Sequence, residues 1–149
     1  MPIALRFSVL SLLSLLGLAG LVQWRLAPPL AMRTGSQTAV LGRFVGGELT
    51  RYFWGGFTGY LDVLGLEPPE DMEARILEKP ELVQLLLIPR AGEERYVARV
   101  QAEDSVPRGV ACRGRGEPDG FRLQRDQLHC PPGWQPLELP GRRSDAARS

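Results

Sequence analysis

The residues best suited to chemistry are two cysteines and one histidine in the C-terminal third of the chain. Cys112 lies 18 positions before Cys130, and His129, the one histidine of the chain, directly precedes Cys130. Successive residues of a strand point to opposite faces, so His129 and Cys130 are poorly placed to form a thiol–imidazole pair. Two cysteines and one histidine also fall short of the four ligands of the usual zinc sites. We therefore expect no enzyme activity, with no catalytic residues, no metal site and no cofactor.

The cysteine pair is better explained by structure than by reactivity. An even number of cysteines behind a segment that could direct export favours one disulfide, Cys112–Cys130. The alternative is two unpaired buried thiols. On the chain-entropy model, closing a loop of this size stabilises the fold by roughly 3 kcal/mol. We predict the disulfide, and expect the domain to lie in an oxidising compartment.

Two charged segments could bind ions or polymers. The acidic segment from Glu67 to Glu73 could hold calcium, but it lacks the spacing of an EF-hand. The segment from Arg113 to Gly116 alternates arginine with glycine, and Glu117 and Asp119 follow it. With a formal net charge of +1 for the whole chain, no strong field attracts polyanions. We therefore expect a solvated acidic loop and a charged turn, with no nucleic acid and no small-molecule substrate as partner.

An uncharged apolar segment near the N-terminus indicates how these residues are delivered. Phe7 to Trp24 is a run of 18 residues, seven of them leucine. As a helix it would span roughly 27 Å, close to the hydrocarbon core of a bilayer. A retained single-span anchor and a cleaved signal peptide both fit this pattern. The run is long for a signal core, and no clean small-residue cleavage site follows it, which favours the anchor.

The rest of the chain predicts one helix and several strands. Pro28 and Pro29 interrupt the first helix, and apolar residues then recur with helical spacing up to a glycine stop at Gly55. The stripe consists of Val40, Phe44, Val45, Leu49, Tyr52 and Phe53. Strands are predicted over 74–77, 82–88, 95–101, 109–113 and 121–130, and the turn at 89–94 makes the second and third strands an antiparallel pair.

The order of these parts resembles that of type IV pilins and pseudopilins, and among them the cyanobacterial group of pilin-like G and H proteins. Those proteins tend to have an aromatic helix end followed by Gly-x-Phe and Leu-Gly-Leu elements. The counterpart here is 52–66, YFWGGFTGYLDVLGL, and 130–134, CPPGW, closes the cysteine loop. The resemblance covers roughly 7–137. It departs at the start, where Arg6 and Ser11 replace the glycine and glutamate of prepilins, which implies an uncleaved anchor.

We therefore expect an α+β fold in which a long N-terminal helix, a membrane span plus an amphipathic half, packs on a small antiparallel sheet as in pilins. The expected domains are a transmembrane anchor at 1–27, an extracytoplasmic domain at 28–140 and a disordered tail at 141–149. The resemblance implies a non-enzymatic structural or assembly role in a type IV pilus or a machine like type II secretion. It would place a single-pass protein in the plasma membrane, with its C-terminal domain in the periplasm or outside the cell. Its partners would be the membrane and other pilin-like subunits. The alternative is a small exported binding domain unrelated to pili.

Overall fold

A computed structural model describes the backbone of residues 30–140 and the side chains of residues 37–140. The predicted anchor at 1–27 and the predicted tail at 141–149 lie outside the described residues. Within the described part, one helix, a short 3-10 helix and seven strands follow one another along the chain. The described residues cover nearly all of the domain predicted at 28–140.

The helix, α1, runs from Leu30 to Gly55. Its end confirms the predicted glycine stop: the N–H of Gly56 donates a hydrogen bond to the Tyr52 carbonyl, and Gly56 has φ of 99°. A residue with a side chain rarely adopts that backbone conformation, whereas glycine does so at little cost. After the helix, a single 3-10 turn spans Asp62–Leu64 and leads to the first strand.

The strands form two antiparallel sheets. The larger sheet has five strands in the order β1-β2-β3-β4-β7, and β5 pairs with β6 in a separate two-stranded sheet. The strands are β1 Met72–Lys79, β2 Leu82–Pro89, β3 Glu94–Glu103, β4 Val106–Arg115, β5 Arg122–Gln124, β6 Gln127–His129 and β7 Gln135–Pro136. The antiparallel pairing of β2 with β3 is confirmed. The single strand predicted over 121–130 is instead a hairpin, because a two-residue turn divides it.

Two tight hairpin turns are built without glycine. Asp104 and Ser105 join β3 to β4, and Arg125 and Asp126 join β5 to β6; all four residues have positive φ. Two successive residues with positive φ are the mark of a type I′ turn, whose twist matches that of the flanking strands. The first of these turns makes β3 and β4 neighbours in the larger sheet, and the second forms the separate β5–β6 hairpin.

The sheet has a hydrophobic cluster on each face, because alternate residues of a strand point to opposite sides. The first cluster packs α1 on one face, which we call the helix face. It consists of Leu41, Phe44, Val45, Leu66, Met72, Val83, Leu85, Leu87, Ala98, Val100 and Ala111. The second cluster lies on the opposite face, which we call the outer face, and consists of Leu86, Val97, Cys112 and Trp134. The domain is therefore a layered structure with the sheet in its middle.

The predicted fold class, a long N-terminal helix packed on a small sheet, is wrong. The described part is mostly antiparallel sheet with one helix, and none of its helices is long and apolar enough to cross a membrane. The composition of α1 explains this finding. The helix carries Arg43, Glu48 and Arg51, and glycines at 42, 46 and 47 lower its intrinsic stability.

Candidate interaction surface

The cysteines, the histidine and the acidic segment that the sequence singled out do not form one common site in the fold. Cys112 and Cys130 form a disulfide, as predicted. His129 is exposed at the end of β6, next to a cysteine whose sulfur is already bonded. Among the described residues, no group of three or more histidine, cysteine, aspartate or glutamate side chains could hold a metal ion. In the acidic segment, Glu73 pairs with Arg75 at the surface, with 2.7 Å between Oε1 and Nε.

The arginine–glycine segment is not the expected charged turn: Arg113 to Arg115 form the end of β4 and pair with β3, and only Gly116 lies beyond the strand. The Arg113 Nη2 atom donates to the Gln135 side chain at 3.0 Å, and Arg115 lies 3.6 Å from a Glu93 carboxylate oxygen. Exposed pairs of this kind add little stability. The Glu93 carboxylate offsets part of the positive charge of Arg115, whereas the Gln135 amide that binds Arg113 is uncharged.

The most unusual surface feature is a set of exposed apolar side chains where α1 ends. Phe53 is 72% exposed, Trp54 is 85% exposed and Tyr60 is 68% exposed, and Val63 follows in the 3-10 turn at 51%. We call residues 52–63 the aromatic segment. Large aromatic side chains held at the surface are typical of contact sites, because Tyr, Trp and Phe are enriched in protein interfaces.

The aromatic segment begins on a rigid element. Tyr52 lies edge-on to Phe53, with ring centroids 5.7 Å apart, and is tilted against Phe57 at 4.9 Å. Phe57 is partly buried against the first cluster. Tyr52 and Phe57 therefore connect the exposed Phe53 ring to the core.

The polar attachment of the segment is a buried glutamate that faces it from α1. Glu48 is completely buried, and its Oε2 atom accepts a hydrogen bond from the Thr58 N–H at 3.1 Å. The hydroxyl of Thr58, itself buried, accepts a further bond from the Tyr60 N–H at 3.3 Å. The second carboxylate oxygen of Glu48, Oε1, is buried without a hydrogen-bond partner. Glu48 thus fixes the backbone of the segment while one of its own oxygens is left unsatisfied.

The surroundings of Glu48 disfavour its charged form. Burial raises the pKa of Glu48 to about 7; the Thr58 N–H and the charge of Arg51 act against this shift, and the charge of Glu78 adds to it. An unpaired buried carboxylate has a high free energy because the protein interior solvates a charged group much less well than water does. The carboxyl group is therefore neutral over much of the acidic range, unlike an ordinary glutamate.

The outer face is covered by Phe121, from the segment that the disulfide closes, and by Trp134, which follows that segment. Phe121 lies over the guanidinium of Arg99, with the carbon of that group 4.8 Å from the ring centroid. A Cβ atom on Gly114 would collide with the indole of Trp134, so only glycine allows this ring to pack flat on β4. Burial lowers the pKa of Arg99. The disulfide therefore belongs to a packed cover over β3 and β4 and contributes to the stability of the domain.

Sequence reasoning missed Glu48, although a signal for it exists. Glu48 lies four residues after Phe44 and four before Tyr52, so it continues the apolar stripe of α1. A charged residue on the buried stripe of a helix is unusual and marks a position that needs a partner. The partner is the backbone N–H of Thr58, and the sequence pattern of side chains does not predict a bond to the backbone of a loop.

No family model, curated protein or solved structure matches this chain. What the described residues define is a class of domain: one helix on an antiparallel sheet, closed by a disulfide and carrying an exposed aromatic segment.

Proposed function

We propose that this chain is a non-enzymatic interaction domain that is exported, held at a membrane, and binds a protein partner through its aromatic segment. The observation that carries the proposal is the exposure of Phe53, Trp54 and Tyr60 on a segment whose backbone is fixed to the core. Aromatic side chains on a fixed backbone have few torsions left to lose on binding, so they are suited to the centre of a protein interface.

The export part of the proposal is supported by the disulfide. Bonds of this kind persist in oxidising compartments and are rare where glutathione and thioredoxin keep thiols reduced. The apolar run at 7–24 is the segment that would direct the chain there and hold it at the membrane.

The charge of the aromatic segment favours a protein over a lipid surface as its partner. Arg51, just before the segment, and Asp62 within it have opposite signs and cancel. Segments that lie on anionic membranes are instead rich in lysine and arginine on their polar side. Aromatic side chains between opposite charges match the composition of protein interfaces.

A pilin-like assembly role is a second candidate, in which the partner is another subunit of a pilus or a secretion machine. The aromatic run at 52–66 and the cysteine loop favour it, because both belong to the resemblance described above. The two candidates share the same surface and differ in the identity of the partner.

The test is site-specific crosslinking with the full chain in its native membrane. A photoreactive phenylalanine analogue replaces Trp54, and in a matched control it replaces Asp119, which is exposed in the segment closed by the disulfide. We expect one protein adduct of defined mass from position 54, none from position 119, and loss of that adduct when Phe53 and Tyr60 are changed to alanine. Mass spectrometry of the adduct then separates the candidates, since a pilin-like subunit in it supports the assembly role. Adducts only with lipid, or equal adducts from both positions, would refute the proposal.

Export is tested separately by alkylating free thiols in intact cells before lysis and measuring the mass of the chain. We expect Cys112 and Cys130 to be protected until a reductant is added. Two freely alkylated cysteines in the untreated cells would exclude the oxidising compartment.

A further inference from the structure

Residues 56–66, the loop that follows α1 and carries the second half of the aromatic segment, are held at their two ends by different kinds of interaction. At the far end, a Leu64 methyl group packs against the backbone of Gly47, where a Cβ atom would stand 3.0 Å from it, and Leu66 enters the core. Near the start, the Glu48 carboxylate binds the Thr58 N–H. The apolar contacts do not respond to pH, whereas the carboxyl group does.

We propose that Glu48 is a protonation switch for the part of the aromatic segment that follows α1, residues 56–63: its neutral form keeps these residues closed on α1, and its ionised form favours their release into water. The proposal rests on the proposed function in so far as the segment is the docking surface. Release of the proton to solvent is the one chemical step, and no other reactant is needed.

The geometry around Glu48 gives the switch its direction. In the closed state the carboxyl group is completely buried, and its Oε1 atom has no hydrogen-bond partner. Ionisation would leave negative charge on that atom with nothing to solvate it. When the segment opens, water reaches both oxygens, so the charged form is stabilised in the open state and disfavoured in the closed one.

The charged neighbours do not cancel this effect. Arg51 lies one turn further along α1 and is exposed, so water screens its attraction. From β1, the carboxylate of Glu78 reaches the place that a Cβ atom of Gly59 would occupy, and its charge repels that of Glu48. The segment itself contributes two exposed titratable groups, Tyr60 and Asp62.

The size of the effect follows from linkage. Burial raises the pKa of Glu48 to about 7 in the closed state, against the ordinary value of 4.5 that an open, hydrated group would have. With these two values, the ratio of open to closed segment rises by about 25-fold between pH 5.5 and pH 8.0. A glutamine at this position has no proton to lose, so the ratio should not change with pH.

Hydrogen exchange of the full-length protein, purified in detergent, tests this inference. The measured quantity is the protection of the peptide that covers 56–66, corrected for the intrinsic pH dependence of exchange, at several pH values from 5.5 to 8.0. We expect protection to fall by about 25-fold in the unaltered chain and to stay constant in Glu48→Gln. The control Glu138→Gln removes an exposed carboxylate and should retain the full pH dependence. Constant protection in the unaltered chain, or an unchanged pH dependence in Glu48→Gln, would overturn the proposal.

A second variant keeps the test independent of the folding of Glu48→Gln. Burial is the main cause of the raised pKa of Glu48, and Glu78→Gln removes the nearby negative charge that adds to it, so the midpoint of the protection curve should move to lower pH. A midpoint that stays in place or moves upward counts against the switch. Crosslinking from position 54 at both pH values separates this proposal from the proposed function. Protection that depends on pH, without an adduct at either pH, would refute the docking function and support the switch.

Discussion

Replacing Glu48 with glutamine should make the whole domain more stable at pH 8, although the replacement removes a charged hydrogen-bond acceptor. Glutamine has nearly the same shape as glutamate, and its carbonyl oxygen can still accept the bond from the Thr58 N–H. What it lacks is a charge that must be buried. The prediction concerns the free energy of global unfolding, and it holds whether or not the segment binds a partner.

The sign and the size follow from the two states of the carboxyl group. Its pKa is about 7 in the folded chain and 4.5 in the unfolded one, so between these values the folded chain holds a proton that the unfolded chain has lost. The stabilising contribution is therefore fully present below pH 4.5 and is lost as the pH rises through 7. A difference of 2.5 pKa units corresponds to about 3 kcal/mol.

Urea titrations of the unaltered chain and of Glu48→Gln, followed by tryptophan fluorescence from pH 4.5 to pH 8.0, measure this difference. All other titrating groups are common to both proteins, so the difference between the two curves isolates Glu48. We expect it to be smallest at pH 4.5 and to grow by about 3 kcal/mol in favour of glutamine by pH 8. A flat difference, or one that grows in favour of glutamate, would refute the reasoning about the buried carboxyl group.

Three further changes test the packing of the domain. Changing both Cys112 and Cys130 to alanine should lower the free energy of unfolding by about 3 kcal/mol, because the 18-residue separation sets the loop entropy. Urea titration of the variant, and of the unaltered chain with and without reductant, measures this loss. Equal stability of the chain with and without the disulfide would contradict the prediction. Gly114→Val should cost about 1–3 kcal/mol because the new methyl groups displace the Trp134 ring, and a red shift of the fluorescence should accompany the loss. Phe44→Ala removes a completely buried ring and should cost about 3–5 kcal/mol in a thermal melt; a loss below 1 kcal/mol would mean that α1 is not packed as described.

The parts of the fold that could be predicted from sequence are those that depend on local patterns. The end of α1 follows from two successive glycines, and the strand from Leu82 to Pro89 from a nearly continuous apolar run that only Gln84 interrupts. The Cys112–Cys130 bond follows from counting, because two cysteines allow one pairing. In each case the prediction depends on a few neighbouring residues, or on the one pairing that two cysteines allow.

The errors arise where the outcome depends on residues far apart in sequence or on unusual backbone. The hairpin of β5 and β6 turns at Arg125 and Asp126, which adopt positive φ without the glycine or asparagine that announces such turns. The predicted long helix on a small sheet is wrong because the part of the chain that the structure describes is mostly antiparallel sheet, whose strands pair through contacts between distant residues. The role of Glu48 depends on a loop ten residues away that returns to α1.

The disulfide and Glu48 act on opposite faces of the sheet, so we expect their effects on the aromatic segment to be separate. Leu86, Val97 and Cys112 are neighbours across three strands of the outer face, while the residues beside them in each strand face α1. Breaking the disulfide acts on the outer cover, and ionising Glu48 acts on the aromatic segment on the helix face. Both perturbations lower the stability of the same sheet, but only the second acts on the groups that hold the aromatic segment. The pH at which the segment is released should therefore be the same in the oxidised and reduced chains, provided that the reduced chain stays folded.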